Sequence, residues 1–291
     1  MIIPTIARPI RLSHFDEAGF ENSSEFRQFK AYDVILDDES MAEFDRYVAG
    51  LKSAMAATGA SGHASLERFH LYSMLDIGHF DKSKARAAVA AYKELIAGIS
   101  RQGGAYLTIH IGLNYNDDDL SFEDAKVNLA ELVRFARSEK VNLCVENLRR
   151  GFTGNPYMFA ELIEYSGAYV TFDIGHATSS LAAANGFGPL EFLELIAHRV
   201  VNTHVYEYEL DGVGHVAPGD LSVIGPVLAA IEDAGCGWWV IELEEENLCN
   251  TRDLVYELVE KSVAGGMGRL GESFEPRLAP EQSLSRLAFG H

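Results

Sequence analysis

Six apolar runs in this sequence each stop at a side chain that can bind a metal or move a proton. They are Phe69-His70, Leu107-Thr108-Ile109-His110, Cys144-Val145-Glu146, Thr171-Phe172-Asp173, Val201-Asn202-Thr203-His204 and Val240-Ile241-Glu242. Neutral imidazole and carboxylate form the ligand set of Zn, Mn or Fe. Glu146, Asp173, His204 and Glu242 make a hard, oxygen-rich set with one nitrogen. That set suits Mn, Mg, Co or Fe at least as well as Zn. Such an ion can hold a hydroxyl beside a carbonyl and stabilise an enediolate, while a carboxylate on each side removes and returns a proton. One Glu at a strand end is more simply a strand cap or an arginine partner. Four in succession point to one divalent ion.

Side chains so spaced need a scaffold that brings strand ends together. The interval between run ends is about the length of one βα unit with its return loop. A parallel barrel gathers the C-terminal ends of its strands around one mouth. The expected fold is therefore α/β, a single (β/α)8 TIM barrel over residues 1–264. A short C-terminal extension, 265–291, packs on the barrel or on a partner subunit. Strands one and two are expected at residues 2–10 and 31–36, and residues 13–30 read as a poor helix. Helices are expected over Met41–Thr58, Lys82–Arg101, Ser121–Ser138, Pro156–Tyr165, Pro189–His198, Asp220–Ala234 and Arg252–Ala264. Ser121 with Asp124 three residues on reads as a capping box, and Pro156 and Pro189 stand at first helical positions. Trp238 and Trp239 read as packing residues of the last strand.

The chain has 291 residues, 47% hydrophobic, with a formal charge of -19. Such a field repels polyanions and lowers the expectation of nucleic acid as a partner. Cys144, Cys236 and Cys249 form no CxxC and read as reduced thiols of a cytoplasmic protein. The first residues lack the features of a signal peptide, and no apolar run is long enough to span a bilayer.

Further polar residues fall near the same mouth. His70 and His110 end the two runs before Glu146 and read as ligands or substrate contacts. His176, three residues after Asp173, leans over the mouth. His215 lies in a Gly-rich loop after His204. Arg149 and Arg150 follow Glu146 at the rim and could clamp a phosphate or carboxylate, although solvated charges or salt bridges are the plainer reading. Tyr115, Tyr157, Tyr206 and Tyr208 are placed at the mouth by position alone.

These segments resemble the xylose isomerase-like TIM barrels, a group that holds sugar isomerases and epimerases and the endonuclease IV nucleases. The matching stretches are Thr108-Ile109-His110-Ile111-Gly112, Val145-Glu146-Asn147-Leu148, Phe172-Asp173-Ile174-Gly175-His176-Ala177, Asn202-Thr203-His204, His215-Val216-Ala217-Pro218-Gly219 and Val240-Ile241-Glu242. The resemblance implies Glu146 and Glu242 as the acid/base pair. It implies Glu146, Asp173, His204 and Glu242 as metal ligands. His70, His110, His176, His215 and Arg149 are then substrate contacts, with at most a weaker second ion at His70, His110 and Glu146. Two departures bear on the member. Ketose 3-epimerases of this family carry a Glu and an Arg where Phe152 and Leu210 stand here. Endonuclease IV requires an Asp two residues before His215, where this chain has Val213. The expectation is a metal-dependent isomerase or epimerase of a small sugar, sugar phosphate or polyol-derived substrate, with homo-oligomerisation left open. The alternative is a multi-metal phosphoesterase of the endonuclease IV type, acting on abasic-site DNA.

Overall fold

A computed structural model describes residues 3–16, 29–57 and 66–264. Residues 1–2, 17–28 and 58–65, with the last residue of the helix expected to Thr58, and the expected tail at 265–291 lie outside the described residues. Eight parallel strands close a barrel: β1 (Thr5–Ile10), β2 (Tyr32–Leu36), β3 (Arg68–Leu71), β4 (Tyr106–Ile109), β5 (Asn142–Glu146), β6 (Tyr169–Asp173), β7 (Val200–Val205) and β8 (Trp238–Ile241). Each strand pairs with its chain neighbours, and β1 pairs with β8 to complete the ring. The expected single (β/α)8 barrel is the observed fold.

Alternation along the strands divides two environments. Phe69, Leu71, Leu107, Ile109, Leu143, Val145, Val170, Phe172, Trp239 and Ile241 join the large core shared with the helices. Ala7, Ala31 and Val240 form a separate small cluster against Trp238. The residues two positions before the site side chains are largely polar. Thr108 and Thr171 share a 2.7 Å hydroxyl contact, and Asn202 donates to Thr171 at 3.4 Å. A TIM barrel interior is more often filled by branched aliphatic layers.

The helices mostly match their expected spans. Lys82–Arg101 is observed unchanged, and Phe122–Ser138 follows Ser121, whose hydroxyl accepts the amide of Asp124. The stretch expected as one helix from Met41 divides at Glu43 into Asp38–Ala42 and Phe44–Ala57, and the first piece starts earlier because Asp37 and Ser40 form a capping box. The helix before β8 starts at Ile224 rather than Asp220, since the Asp220 carboxylate binds the Ser222 amide in a turn. The last helix starts at Glu245, before the expected Arg252. An antiparallel hairpin, Tyr208–Leu210 with Gly214–Val216, follows β7 and was not expected. Among the described residues, no helix is long and apolar enough to cross a membrane.

Candidate metal and proton-transfer site

The barrel register carries the six run-end residues to one mouth. Glu146 and Asp173 are the last residues of β5 and β6, His204 pairs with Asp173 across β6 and β7, and Glu242 follows β8 directly. Glu146, Asp173 and His204 are almost wholly buried. Asn147 holds two of these strand ends together. Its amide donates to the Asp173 carbonyl at 2.9 Å, and its side-chain oxygen accepts the Asp173 amide at 2.8 Å. Gly175 serves the same corner, because a Cβ there would fall into the ring of Tyr206.

His204 is the meeting point. Its Nδ1 lies 2.9 Å from Glu242 Oε2, 3.4 Å from Glu146 Oε2 and 3.5 Å from Asp173 Oδ2. Glu146 Oε2 also lies 3.1 Å from His70 Nε2 and 3.4 Å from His110 Nε2, which are 3.2 Å apart. Two ligands bound at ~2.0–2.1 Å in a tetrahedral shell stand about 3.3 Å apart, so these separations are compatible with ligand atoms around an ion. Glu146 Oε2, Asp173 Oδ2 and His204 Nδ1 are buried with no hydrogen-bond partner. Buried polar atoms are rarely left so, and the chemistry of the donors fits a divalent cation.

Three further histidines are held by backbone carbonyls. The Nδ1–H of His110 donates to Leu71 O at 3.0 Å, that of His176 to Asn147 O at 2.9 Å, and that of His215 to Glu242 O at 2.8 Å. A carbonyl only accepts, so each ring carries a proton on Nδ1 and turns Nε2 the other way. Burial pushes the His176 ring down, but Asp173, Glu146 and Glu209 reverse that and raise it, so its Nε2 also donates, to Glu209 Oε2 at 3.1 Å. Ligand atoms of His176, Glu209 and His215 lie within 4.8 Å of one another. Glu209 is a site residue that sequence reasoning missed. The hairpin pairs it directly with His215, a register that no motif announces. Val213, which stands where endonuclease IV has an Asp, is an exposed hairpin residue.

Imidazoles and carboxylates shift one another in the site. Burial pushes the Glu146 carboxyl up, but His204, His110 and His70 outweigh it and hold the group well below the usual carboxylate range. Glu242 is likewise lowered against its burial, chiefly by His204. Burial pushes the His204 ring down, and Glu242 with Glu146 reverses that and raises it.

A cavity of about 430 Å³ opens beside Glu242 and is lined by Tyr72, His215, Arg11 and His14 among others. A second, of about 410 Å³, is lined by Arg149, Arg150, His176 and Glu209. Arg149, expected as a substrate clamp, has its Nη1 2.9 Å from Asp211 and 3.5 Å from Glu209. Tyr206 stacks on His215 with ring centroids 4.0 Å apart.

The sequence matches the model of the xylose isomerase-like TIM barrel family over residues 20–262. An uncharacterized protein of Methanocaldococcus jannaschii is 36% identical over 158 residues, or 54% of this chain and 67% of that protein. Among solved structures, an L-ribulose 3-epimerase superposes with a TM-score of 0.64 at 14% identity, covering 92% of this chain and 100% of that one. The IolI protein with a bound zinc atom gives 0.62 at 14% identity, covering 88% and 98%. A xylose isomerase domain protein from Planctomyces limnophilus gives 0.63 at 16% identity, covering 91% and 99%. At these identities the structural likeness is one of fold.

Proposed function

The chain belongs to the xylose isomerase-like TIM barrel family, and we propose that it is a divalent-metal-dependent isomerase or epimerase of a small sugar, sugar phosphate or polyol-derived substrate. The observation that carries this reading is the convergence of two glutamates on one ring nitrogen. Glu242 and Glu146 reach His204 Nδ1 at 2.9 Å and 3.4 Å, and Glu242 also lines a cavity of small-molecule size.

Glu146, Asp173, His204 and Glu242 hold the ion. Bound there, it supplies Lewis-acid stabilisation for the negative charge that builds on substrate oxygens beside the reacting carbon. Glu242 and Glu146 carry the proton work: one takes the proton next to the carbonyl and the other returns it. The Tyr72 hydroxyl donates to Glu242 Oε1 at 2.6 Å, which orients the carboxylate toward the site. His215, pinned through Nδ1, presents Nε2 to substrate hydroxyls, and His176, held between the Asn147 carbonyl and Glu209, lies beside the substrate at the same rim. His70 and His110 stand on the other side of Glu146 as substrate contacts or as a weaker ion site.

The test is turnover in deuterated water by metal-loaded protein with ketoses, aldoses and their phosphates. Deuterium at the carbon that changes is the expected result. Turnover that keeps the original hydrogen there removes the two-glutamate mechanism.

One observation favours a second reading, a multi-metal phosphoesterase. Glu209 brings a carboxylate to His176 and His215 although Val213 does not, so three adjoining ligand clusters run through Glu146 to the hairpin. Three tightly held zinc ions per chain, together with phosphate release from a monoester or incision of an abasic duplex, would establish it.

A further inference from the structure

His110, His176 and His215 have their Nδ1 atoms fixed by backbone carbonyls. His70 and His204 have no such carbonyl among the described residues. His204 turns Nδ1 to the three carboxylates, and its Nε2 is buried without a hydrogen-bond partner. The acidic group facing that nitrogen is Asp33, whose Oδ2 lies 3.8 Å away.

Asp33 is the second residue of β2, 1% exposed, and neither carboxylate oxygen has a hydrogen-bond partner. A lone buried carboxylate is costly and is rarely kept without a compensating group. Its neighbour in register, Arg68, is turned elsewhere. The Arg68 guanidinium donates to the Val201 carbonyl at 3.1 Å and lies over the rings of Tyr106 and Trp238 at 3.7 Å and 4.5 Å. Polar atoms of Asp33, His70 and His204 lie within 4.8 Å of one another.

We infer that Asp33 is a positioning residue beneath the site, whose two oxygens take the ring N–H of His204 and of His70. Each imidazole is then held in one tautomer, with its opposite nitrogen presented to the ion-binding carboxylates. A ligating histidine commonly donates its other N–H to a carboxylate, which fixes the ring and raises its basicity. The 3.8 Å gap to His204 is longer than a hydrogen bond; a small ring shift closes it. Asp33 touches no substrate in this arrangement and acts only through the two rings.

The inference rests on the reading of His204 as an ion ligand. It is tested by zinc titration calorimetry on wild-type protein and on Asp33→Ala and Asp33→Asn, with 15N spectra of histidine-labelled, zinc-loaded protein. The expected result is zinc affinity about 10- to 100-fold weaker in Asp33→Ala. A smaller loss is expected in Asp33→Asn, whose amide oxygen still accepts. Wild-type His204 should show a protonated Nε2, and that signal should broaden or shift in both variants. Asp33→Asn is isosteric, so the comparison stands even where the alanine variant does not fold. Unchanged affinity and an unchanged His204 signal in a folded variant overturn the inference. A stoichiometry lower by one ion, with the remaining affinity intact, also overturns it, because Asp33 would then be a ligand. Wild-type protein that binds neither zinc nor manganese in the same titration removes the metal reading itself and this inference with it.

Discussion

Tyr72 and Glu242 meet across the barrel mouth, from just beyond β3 to just beyond β8: the phenol donates to Glu242 Oε1 at 2.6 Å while Oε2 of the same carboxylate lies 2.9 Å from His204 Nδ1. One oxygen of Glu242 is thereby held by a protein hydroxyl and the other is turned into the site. The Tyr72 ring packs beside His70 and His110, with centroids 4.5 Å and 4.8 Å away. Tyr72→Phe keeps that packing and removes only the hydroxyl. A hydrogen bond to a charged group is worth roughly 1.5–3 kcal/mol, so metal affinity or kcat/KM should fall about 10- to 100-fold in a folded protein. Calorimetry and steady-state kinetics check this, and a variant that matches wild type in both removes Tyr72 from the orientation of Glu242.

Glu242→Ala tests the ion site directly. The residue lies beyond the end of β8 and outside the apolar core, so the fold should not depend on it. The variant should bind fewer ions per chain. Its ion-free form should be less stable than wild type near neutral pH, because the raised His204 ring and the Tyr72 hydroxyl both lose their Glu242 partner. Elemental analysis and thermal melts in chelator supply both numbers. Full occupancy in the variant would show that Glu242 is not a ligand.

Glu209→Ala separates the two functional readings. In the isomerase reading it leaves ion stoichiometry unchanged and alters KM more than kcat, because Glu209 only orients His176 and Arg149. In the phosphoesterase reading it removes one ion per chain. Stoichiometry by elemental analysis, set beside isomerase and phosphatase rates, decides between them.

Asp76 governs a pH dependence outside the site. It accepts the amides of Gly78 at 2.7 Å and Gly112 at 2.6 Å, and so ties the loop after β3 to the loop after β4. Burial nevertheless dominates those bonds and pushes its carboxyl up to about 6. In the unfolded chain an Asp titrates near ~3.9. Between these values the folded protein binds more protons, so this contribution is full below about 4 and is lost as pH rises through about 6. Asp76→Asn should flatten that slope. Urea melts between about pH 4 and 7 check it, and parallel profiles for the two proteins would contradict it.

Much of this protein is local and therefore legible in its sequence. The βα rhythm, the apolar strand runs and their polar last residues predict the barrel and bring Glu146, Asp173, His204 and Glu242 to one mouth, because a parallel barrel leaves strand ends no other place to go. Asn147 and Gly175 lie inside recognisable motifs, yet their roles, clasping Asp173 and admitting the Tyr206 ring, appear only once β5, β6 and β7 are side by side. Tyr72 is 170 positions from Glu242 in sequence, and only closure of the ring between β1 and β8 makes them neighbours. Asp33 reads as one polar letter in an apolar strand, and what faces it depends on which way Arg68 turns. Glu209 joins His176 and His215 through a hairpin register that Val213 conceals, since the family motif places its carboxylate two residues before the histidine and here it stands six before it, on the opposite strand. Residue type and strand-end position determined the chemistry available. Tertiary structure decided which groups share a hydrogen bond or an ion, because separations of a few ångströms across the mouth are set by packing between elements and not by spacing along the chain.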